Sequence, residues 1–493
     1  MERQKDRADV VIVGSGYGGS IAALRLAEAG VDAVLLERGR RWPVDDAGDT
    51  FATQTEPDGR AAWLSETSPL TEAKLDVYTG VLEFVEGSGM NVLAGTGVGG
   101  ASLATNGTMC EPSAELFRQT LGDVLDHREM TERWYPQARE LIGCAPIPDD
   151  IYHSEFYRSA RSFADQLDKA NIPWAKVDLA VDWDVVRDEM AGTRVRSQID
   201  GLNVFGVNSG AQRSLDRTIL ARAEATGHID VRPLSVVTAV EPIDGGDGSS
   251  GYHVEYETID ERGEVLSRHR ITTTRLILSA GTLGTNRLLL RAKQSGALPA
   301  LHGALGTRVG NSEVITARTG MAENNPRQGG PAAIFAQDWK ENPLGPVSLL
   351  NFPWPDAPEA EGWTTTIGAV PAPALGTFRY DADKDDVVLH WPADDPALAK
   401  AQSAITHTLD RLNEANPGSR TAFSRIGTTG GNVVGGVPLG TVTDDAGRVR
   451  GYRGLYVVDG SLLPGTGVPP ALTVAAVAAR VTSLLVEDLD PSN

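Results

Sequence analysis

Residues 9–37 read, in order, as an apolar strand, a glycine-rich turn, an alanine-rich helix, a second apolar strand and an acid. No other run limits the fold so narrowly, because each piece has one place in a single supersecondary unit. Asp9-Val10-Val11-Ile12-Val13 shows no polar alternation, so it is expected to be buried on both faces, as a strand of a parallel sheet is. The turn GSGYGGS carries Gly14, Gly16, Tyr17, Gly18 and Gly19. Gly14 lets the chain leave the strand sharply, Gly16 lets backbone approach a pyrophosphate, and Gly19 lets helix and strand pack closely. The helix IAALRLAEAG closes on Gly30, and Ala33–Leu36 is the second strand. Glu37 follows 18 residues after Gly19, where an acid can accept hydrogen bonds from an adenosine ribose. The helix N-terminus offers free N–H groups and a positive dipole end to phosphates. The unit therefore predicts a dinucleotide site. By itself it does not choose between FAD and NAD.

Further pieces of the same kind lie far apart. Residues 94–107, AGTGVGGASLATNG, are small and glycine-rich, which permits close approach to a flat ligand. Strands are expected within 228–240, 252–258 and 270–279, with EPIDGGDGSSG (241–251) as a hairpin loop. Leu276–Ala280 runs into GTLGTNRLLLRA, a strand, a turn and a helix; Leu455–Gly460, SLLPGTGVPP and ALTVAAVAARVTSLLVED repeat that order. The expected fold class is α/β: a Rossmann-type domain from residues 1–44, 212–306 and 444–493, with 94–107 lining its ligand. It is interleaved with an α+β substrate domain from 45–211 and 307–443, an antiparallel sheet backed by helices. The alternating runs Thr364–Ala369 and Asp386–Trp391, and an amphipathic helix over 398–415, carry that expectation.

With 493 residues the chain exceeds what one core usually serves. Its net charge of −21 repels phosphate backbones and anionic membranes, so nucleic acid is not an expected partner. No run of 18 apolar residues is present, and MERQKDRADV lacks a signal-type apolar core; the expected location is cytoplasmic, without a membrane span. Cys110 and Cys144 form no metal spacing and are expected to be free thiols. No metal site is expected.

Several stretches, in this order, resemble the glucose–methanol–choline (GMC) flavoprotein oxidoreductases, and among them the bacterial cholesterol oxidase type with non-covalent FAD. They are GSGYGGSIAALRLAEAGVDAVLLERG, GVGGASL, SGAQRSLDRTIL, SAGTLGTNRLLLRAKQSGALP, DDAGRVRGYRGLYVVDGSLLPG and the terminal helix. The resemblance implies FAD. It implies that Gly14, Gly16, Gly19 and Glu37 hold the ADP half and that Ala101, Thr105, Asn106 and Thr108 run along the isoalloxazine. It also implies that Val237 pairs its backbone with adenine and that Asp459 and Gly460 lie near the pyrophosphate and ribityl chain.

The positions that do the family's chemistry do not carry over. A His-Pro-Leu-Gly-Gly stretch supplies the family's proton-handling histidine; here it is Asn432-Val433-Val434-Gly435-Gly436. The partner position in Gly-x-Asn-Pro is Pro469 in Gly467-Val468-Pro469-Pro470. A carboxylate from a cap strand is also missing: Val347–Pro355 contains none, and the aligned position falls near Leu350 and Asn351. An amide orients an oxygen but takes no proton near neutrality, and a positioned base is worth about 10²–10⁴-fold. Oxidation of simple sterols by the family route is therefore expected to be slow.

Two readings stay open on the sequence. In the first, the protein oxidises a hydrophobic small molecule, polycyclic compounds among the candidates, with a relocated base. Glu313 is the foremost candidate, at a place where the cholesterol oxidase type carries a neutral Asn; His302 and His390 are weaker ones. In the second, FAD is a structural or electrostatic platform for a redox-neutral isomerisation, elimination or cyclisation in a pocket of Val433, Val434, Pro469 and Pro470.

Overall fold

The protein was analysed as a computed structural model that describes residues 6–489 apart from 69, 72, 123, 322–327, 355–361, 427 and 428. Met1–Lys5 of the charged N-terminal run and Pro355 of the Val347–Pro355 stretch lie outside the described residues.

The strand read at 9–13 is Arg7–Val13, and its apolar half, Val10–Val13, is buried. It lies between Ala33–Leu36 and the 14-residue strand Val265–Leu278, parallel to both. Ile229–Arg232 adds to the outer side of Ala33–Leu36, and Leu455–Val457 pairs with Leu276–Leu278, again in parallel. The long strand serves two surroundings. Its last residues, Leu276–Leu278, are buried within the parallel sheet. Its first part is mostly exposed and runs antiparallel to Tyr252–Ile259, which pairs with Ser235–Pro242. Val13, Leu36, Leu278 and Val457 all end at one edge of the parallel part. A crevice at the carboxyl ends of parallel strands is where such sheets take ligands.

Helix Tyr17–Glu28 packs against Ala471–Leu489 and Ile219–Ala225 over its alanine-rich faces. Its first turn lies so close to the sheet that a Cβ built on Gly18 would stand 1.9 Å from Val458 O, and one on Gly19 would stand 1.9 Å from Gly14 O. Neither backbone can yield without moving a strand or the turn itself. Gly18→Ala is expected to destabilise the protein by about 1–3 kcal/mol, the usual cost of overpacking, read as a lower urea midpoint with an unchanged slope.

The other large sheet is antiparallel throughout. Its order is Arg420–Ile426, Glu313–Thr319, Thr364–Ala369, Val347–Asn351, Ile334–Asp338, Trp174–Lys176. Helices Arg158–Lys169 and Pro396–Ala415 pack on it, the latter burying Leu398, Ala401, Ile405, Leu409 and Leu412, the stripe expected from the 3.6-residue period. The protein thus has an α/β fold with a second, α+β layer system. Thr364–Ala369 joins the large sheet, but Asp386–His390 does not. It forms a separate ribbon with Thr377–Asp381, because Val387 and Leu389 are buried in a different cluster, with Met90, Leu283 and Trp391. Cys110 is buried and Cys144 half-buried, both free. Among the described residues no helix is long and apolar enough to cross a membrane.

Candidate active site

A cavity of about 280 Å³ opens at the carboxyl edge of the parallel sheet. Its first wall is the glycine turn. Gly14, Gly16, Tyr17 and Gly18 line it, with Glu37 at the end of the next strand and Val237 on the far side. Gly16 is the N-cap of helix Tyr17–Glu28, with no side-chain cap and no acid in the first turn, so the helix presents bare N–H groups to the cavity. A Cβ built on Gly16 meets nothing within 4 Å, which marks open space for a ligand there. Ser279 Oγ, buried on the same rim, has no hydrogen-bond partner among the described residues and remains available as a donor. Glu37 is held rigidly: Ser15 N and Ser15 Oγ donate to Oε2 at 3.0 and 2.7 Å, and Gly39 N donates to Oε1 at 2.8 Å. A bare helix terminus, an orphan hydroxyl and a fixed carboxylate suit the phosphates and ribose of a dinucleotide.

Ala101 and Thr105 line the cavity, and burial pushes the Tyr17 phenol up beside the Thr105 hydroxyl. Asn106 and Thr108 are not in its wall. The chain leaves the wall after Thr105; Gly107, whose φ is +65°, follows, and its O accepts from Ala180 N at 2.8 Å. Asn106 Oδ1 then accepts from Asn203 Nδ2 at 3.0 Å, and Thr108 pairs its backbone with Leu179. Gly19 is not in the wall either; it packs inside the helix, against Gly14. Asp459 and Gly460 do line the cavity. Burial pushes the Asp459 carboxyl up, while donors from Ser461 and Thr285, the latter at 2.5 Å, pull it down.

Asn432, Val433, Val434, Pro470, Ala471 and Val474 also line the cavity. The segment carrying Asn432 is fixed on three sides. Thr429–Gly430 pairs in parallel with Asn91–Val92. Gly310 and Val434 exchange backbone hydrogen bonds of 2.8 and 3.0 Å. Gly435 N and Val437 N donate to Gly460 O and Ser461 O. Pro469 is buried one residue short of the cavity, and Pro470, immediately before helix Ala471–Leu489, is the proline that lines it. Neither proline offers a backbone N–H.

The bridge at Gly310 also sets Glu313. Three residues further along, where the strand Glu313–Thr319 begins, its Oε2 accepts from Gly431 N and from Asn432 Nδ2, both at 3.2 Å. Glu313 is half-buried and does not itself line the cavity; the two residues that donate to it do. Burial raises its carboxyl above the ordinary glutamate range, and the donors from Gly431 and Asn432 offset part of that. His302 and His390 are exposed, away from this wall. Leu350 and Asn351 are buried in their strand, with Asn351 Oδ1 accepting from Ile334 N at 2.9 Å.

Sequence reasoning did not single out two arginines of the cavity wall, Arg38 and Arg287. Both pair with the buried Glu83, at 2.5 and 3.1 Å, and Arg287 also pairs with Asp386 at 2.5 Å. The available signal was their placement: Arg38 directly follows Glu37, and Arg287 falls in the first two turns of the helix that follows SAG.

Residues 374–478 match the family described as GMC oxidoreductase, and residues 7–55 match an FAD binding domain. The chain is 26% identical to a cholesterol oxidase of Mycobacterium tuberculosis, over 97% of this chain and 90% of the relative. It is 24% identical to a cholesterol oxidase of Acinetobacter baumannii, over 97% of this chain and 94% of the relative. Among solved structures, a fungal aryl-alcohol oxidase superposes with a TM-score of 0.71 at 14% identity, covering 98% of this chain and 100% of the other. A pyridoxine 4-oxidase from Mesorbium loti gives 0.65 at 15% identity, covering 97% and 99%.

Proposed function

Since this chain belongs to the GMC oxidoreductases and is an FAD-dependent oxidoreductase similar to cholesterol oxidase, we propose that it oxidises a C–OH group of a hydrophobic small molecule to a carbonyl. The observation that carries this reading is the part of the lining that the glycine turn does not supply. It includes Val433, Val434, Pro470, Ala471 and Val474 together with one amide, Asn432, which suits a greasy substrate with a single polar reacting group. The names of the relatives support the same class. FAD, when bound, supplies the hydride acceptor. The residues that would hold it are Gly14–Gly18, Glu37 and Asp459–Gly460, with Val237 beside the adenine and Ala101 and Thr105 along the ring.

The chain's own contribution is to exclude water and to orient. Val433 and Val434 are buried, and Val434 is paired with Gly310, so the reacting carbon would meet a dry wall. Asn432 would donate to the substrate oxygen and fix its direction; Pro469 and Pro470 keep any competing backbone donor out of that corner.

The test is anaerobic mixing with a panel of aliphatic, aromatic and sterol alcohols, watching the oxidised flavin band. At least one hydrophobic alcohol is expected to bleach it. Cholesterol is expected to do so slowly, since no histidine stands at position 432. Failure of every alcohol, with FAD stoichiometrically bound, would remove the reading.

A further inference from the structure

Glu313 and Asn432 are 119 residues apart in sequence, yet their side chains meet directly behind the part of the cavity wall that Asn432 forms. An ionised carboxylate only accepts, so Asn432 must turn its Nδ2, not its Oδ1, to Glu313. That nitrogen carries two hydrogens. One goes to Glu313 Oε2, and the other is left for the oxygen of a substrate. A substrate oxygen held there shares one nitrogen with the Glu313 carboxylate. That places the two within direct reach or one water of each other, which is the geometry a proton acceptor needs. Across the sheet Ala369 stands opposite Glu313, and its other close partner is Gly431 N. Among the described residues no cation pairs with it.

We propose that Glu313 is the proton acceptor of the oxidation, fixed at the cavity wall by Asn432 and Gly431. The inference rests on the reading that a hydroxyl is the reacting group. In the step, the substrate O–H bond breaks and its proton passes to Glu313, which becomes the neutral acid. The C–H bond breaks with its electron pair leaving as hydride to the oxidised flavin, and the C=O bond forms. Asn432 Nδ2 donates to the oxygen while it carries alkoxide charge. Glu313 is half-buried rather than enclosed, so it can return the proton to water and restore the carboxylate. Burial, by raising its carboxyl, makes it a better acceptor than an exposed glutamate while it still ionises.

Three variants test this. Glu313→Gln keeps an acceptor oxygen for Gly431 and Asn432, so the fold and the flavin spectrum are expected to survive. Anaerobic flavin reduction by the alcohol found above is expected to slow by about 10²–10⁴-fold. In the wild type that rate rises with pH through a limb on the alkaline side of an ordinary glutamate, and the limb is expected to vanish in Glu313→Gln. Glu313→Asp is expected to retain the limb at a lower rate. Glu313→Ala is expected to be rescued in part by added formate, which Glu313→Gln is not. As a readout independent of turnover, the infrared spectrum of the cofactor-free protein is expected to show a protonated-carboxyl band, titrating above the usual glutamate range, that disappears in Glu313→Gln. A wild-type rate and limb in Glu313→Gln would overturn the proposal while leaving alcohol oxidation intact. If the variant misfolds, absence of formate rescue in a folded Glu313→Ala protein would overturn it equally. Failure of the wild type with every alcohol strikes the proposed function instead.

Discussion

Gly16→Val is expected to give a folded protein that purifies colourless. The backbone at Gly16 is extended, φ −68° and ψ −163°, at the edge of the β region and not in the left-handed region that favours glycine. A Cβ there meets no protein atom within 4 Å. The stability of the cofactor-free protein should therefore stay within about 0.5 kcal/mol of wild type, as for a substitution that touches nothing. The space the valine enters belongs to the cavity, directly at the bare N-terminus of helix Tyr17–Glu28. An isopropyl group at that point keeps a pyrophosphate from the helix N–H groups. FAD affinity is expected to fall at least roughly a hundredfold, equivalent to about 3 kcal/mol of overpacking.

The control is the neighbouring glycine. Gly14 has φ +95°, and a Cβ there would lie 2.2 Å from Ser279 O, so Gly14→Val is expected to damage the fold itself. Two measurements separate the cases. The melting temperature of the wild type rises with added FAD, as for any ligand that binds only the native state. The Gly16→Val protein is expected to melt at the same temperature as the cofactor-free wild type and not to respond to FAD. A yellow, stoichiometrically loaded Gly16→Val protein would show that the cofactor does not approach the turn as the cavity implies.

What the sequence disclosed here was local, and what it concealed was long-range. The glycine turn could be read because strand, turn, helix and acid lie within 29 consecutive residues, and each has a steric reason for its place. The helix read over 398–415, observed as Pro396–Ala415, could be read because burial of one face imposes a period. The course of the 101–108 segment could not. The chain leaves the cavity wall after Thr105, where the Asn106 side chain is taken up by Asn203, and nothing in AGTGVGGASLATNG says where it does so. The shift from Pro469 to Pro470 at the cavity wall is of the same kind, since a helix start is fixed by packing to the nearest residue only in three dimensions. Glu313 could be picked out because it stands where the cholesterol oxidase type carries a neutral Asn. Its hydrogen bond to Asn432 depends on the register of the Gly310–Val434 bridge, which pairing between distant segments decides. The arginine pair Arg38 and Arg287 was invisible for the same reason: the residue that joins them, Glu83, is 45 residues from one and 204 from the other.

That carboxylate carries the second large effect expected of this molecule. Glu83 is buried, and burial alone would push its acid up. Arg38 and Arg287 outweigh the burial and hold it down to about 2, against 4.5 for an unperturbed glutamate. Such a group lends stability that is fully present above the unperturbed value and is lost as pH falls toward the lowered one. The shift corresponds to about 3 kcal/mol at neutral pH. Glu83→Gln leaves Arg38 without its carboxylate and Arg287 with Asp386 alone, inside the cavity wall where little water compensates them. Breaking a buried pair from one side costs about 3–5 kcal/mol, so urea unfolding at pH 7 is expected to show a loss of that order. The pH dependence separates this account from a simple packing defect. Between pH 7 and pH 3 the gap between wild type and Glu83→Gln is expected to shrink by about half, because the wild type is losing its ionised Glu83 advantage while the variant has none to lose. A packing defect would leave the gap constant across that range. Because both arginines face the cavity, Glu83→Gln is also expected to weaken FAD retention, and Asp386→Asn, which removes only the outer partner of Arg287, is expected to weaken it less.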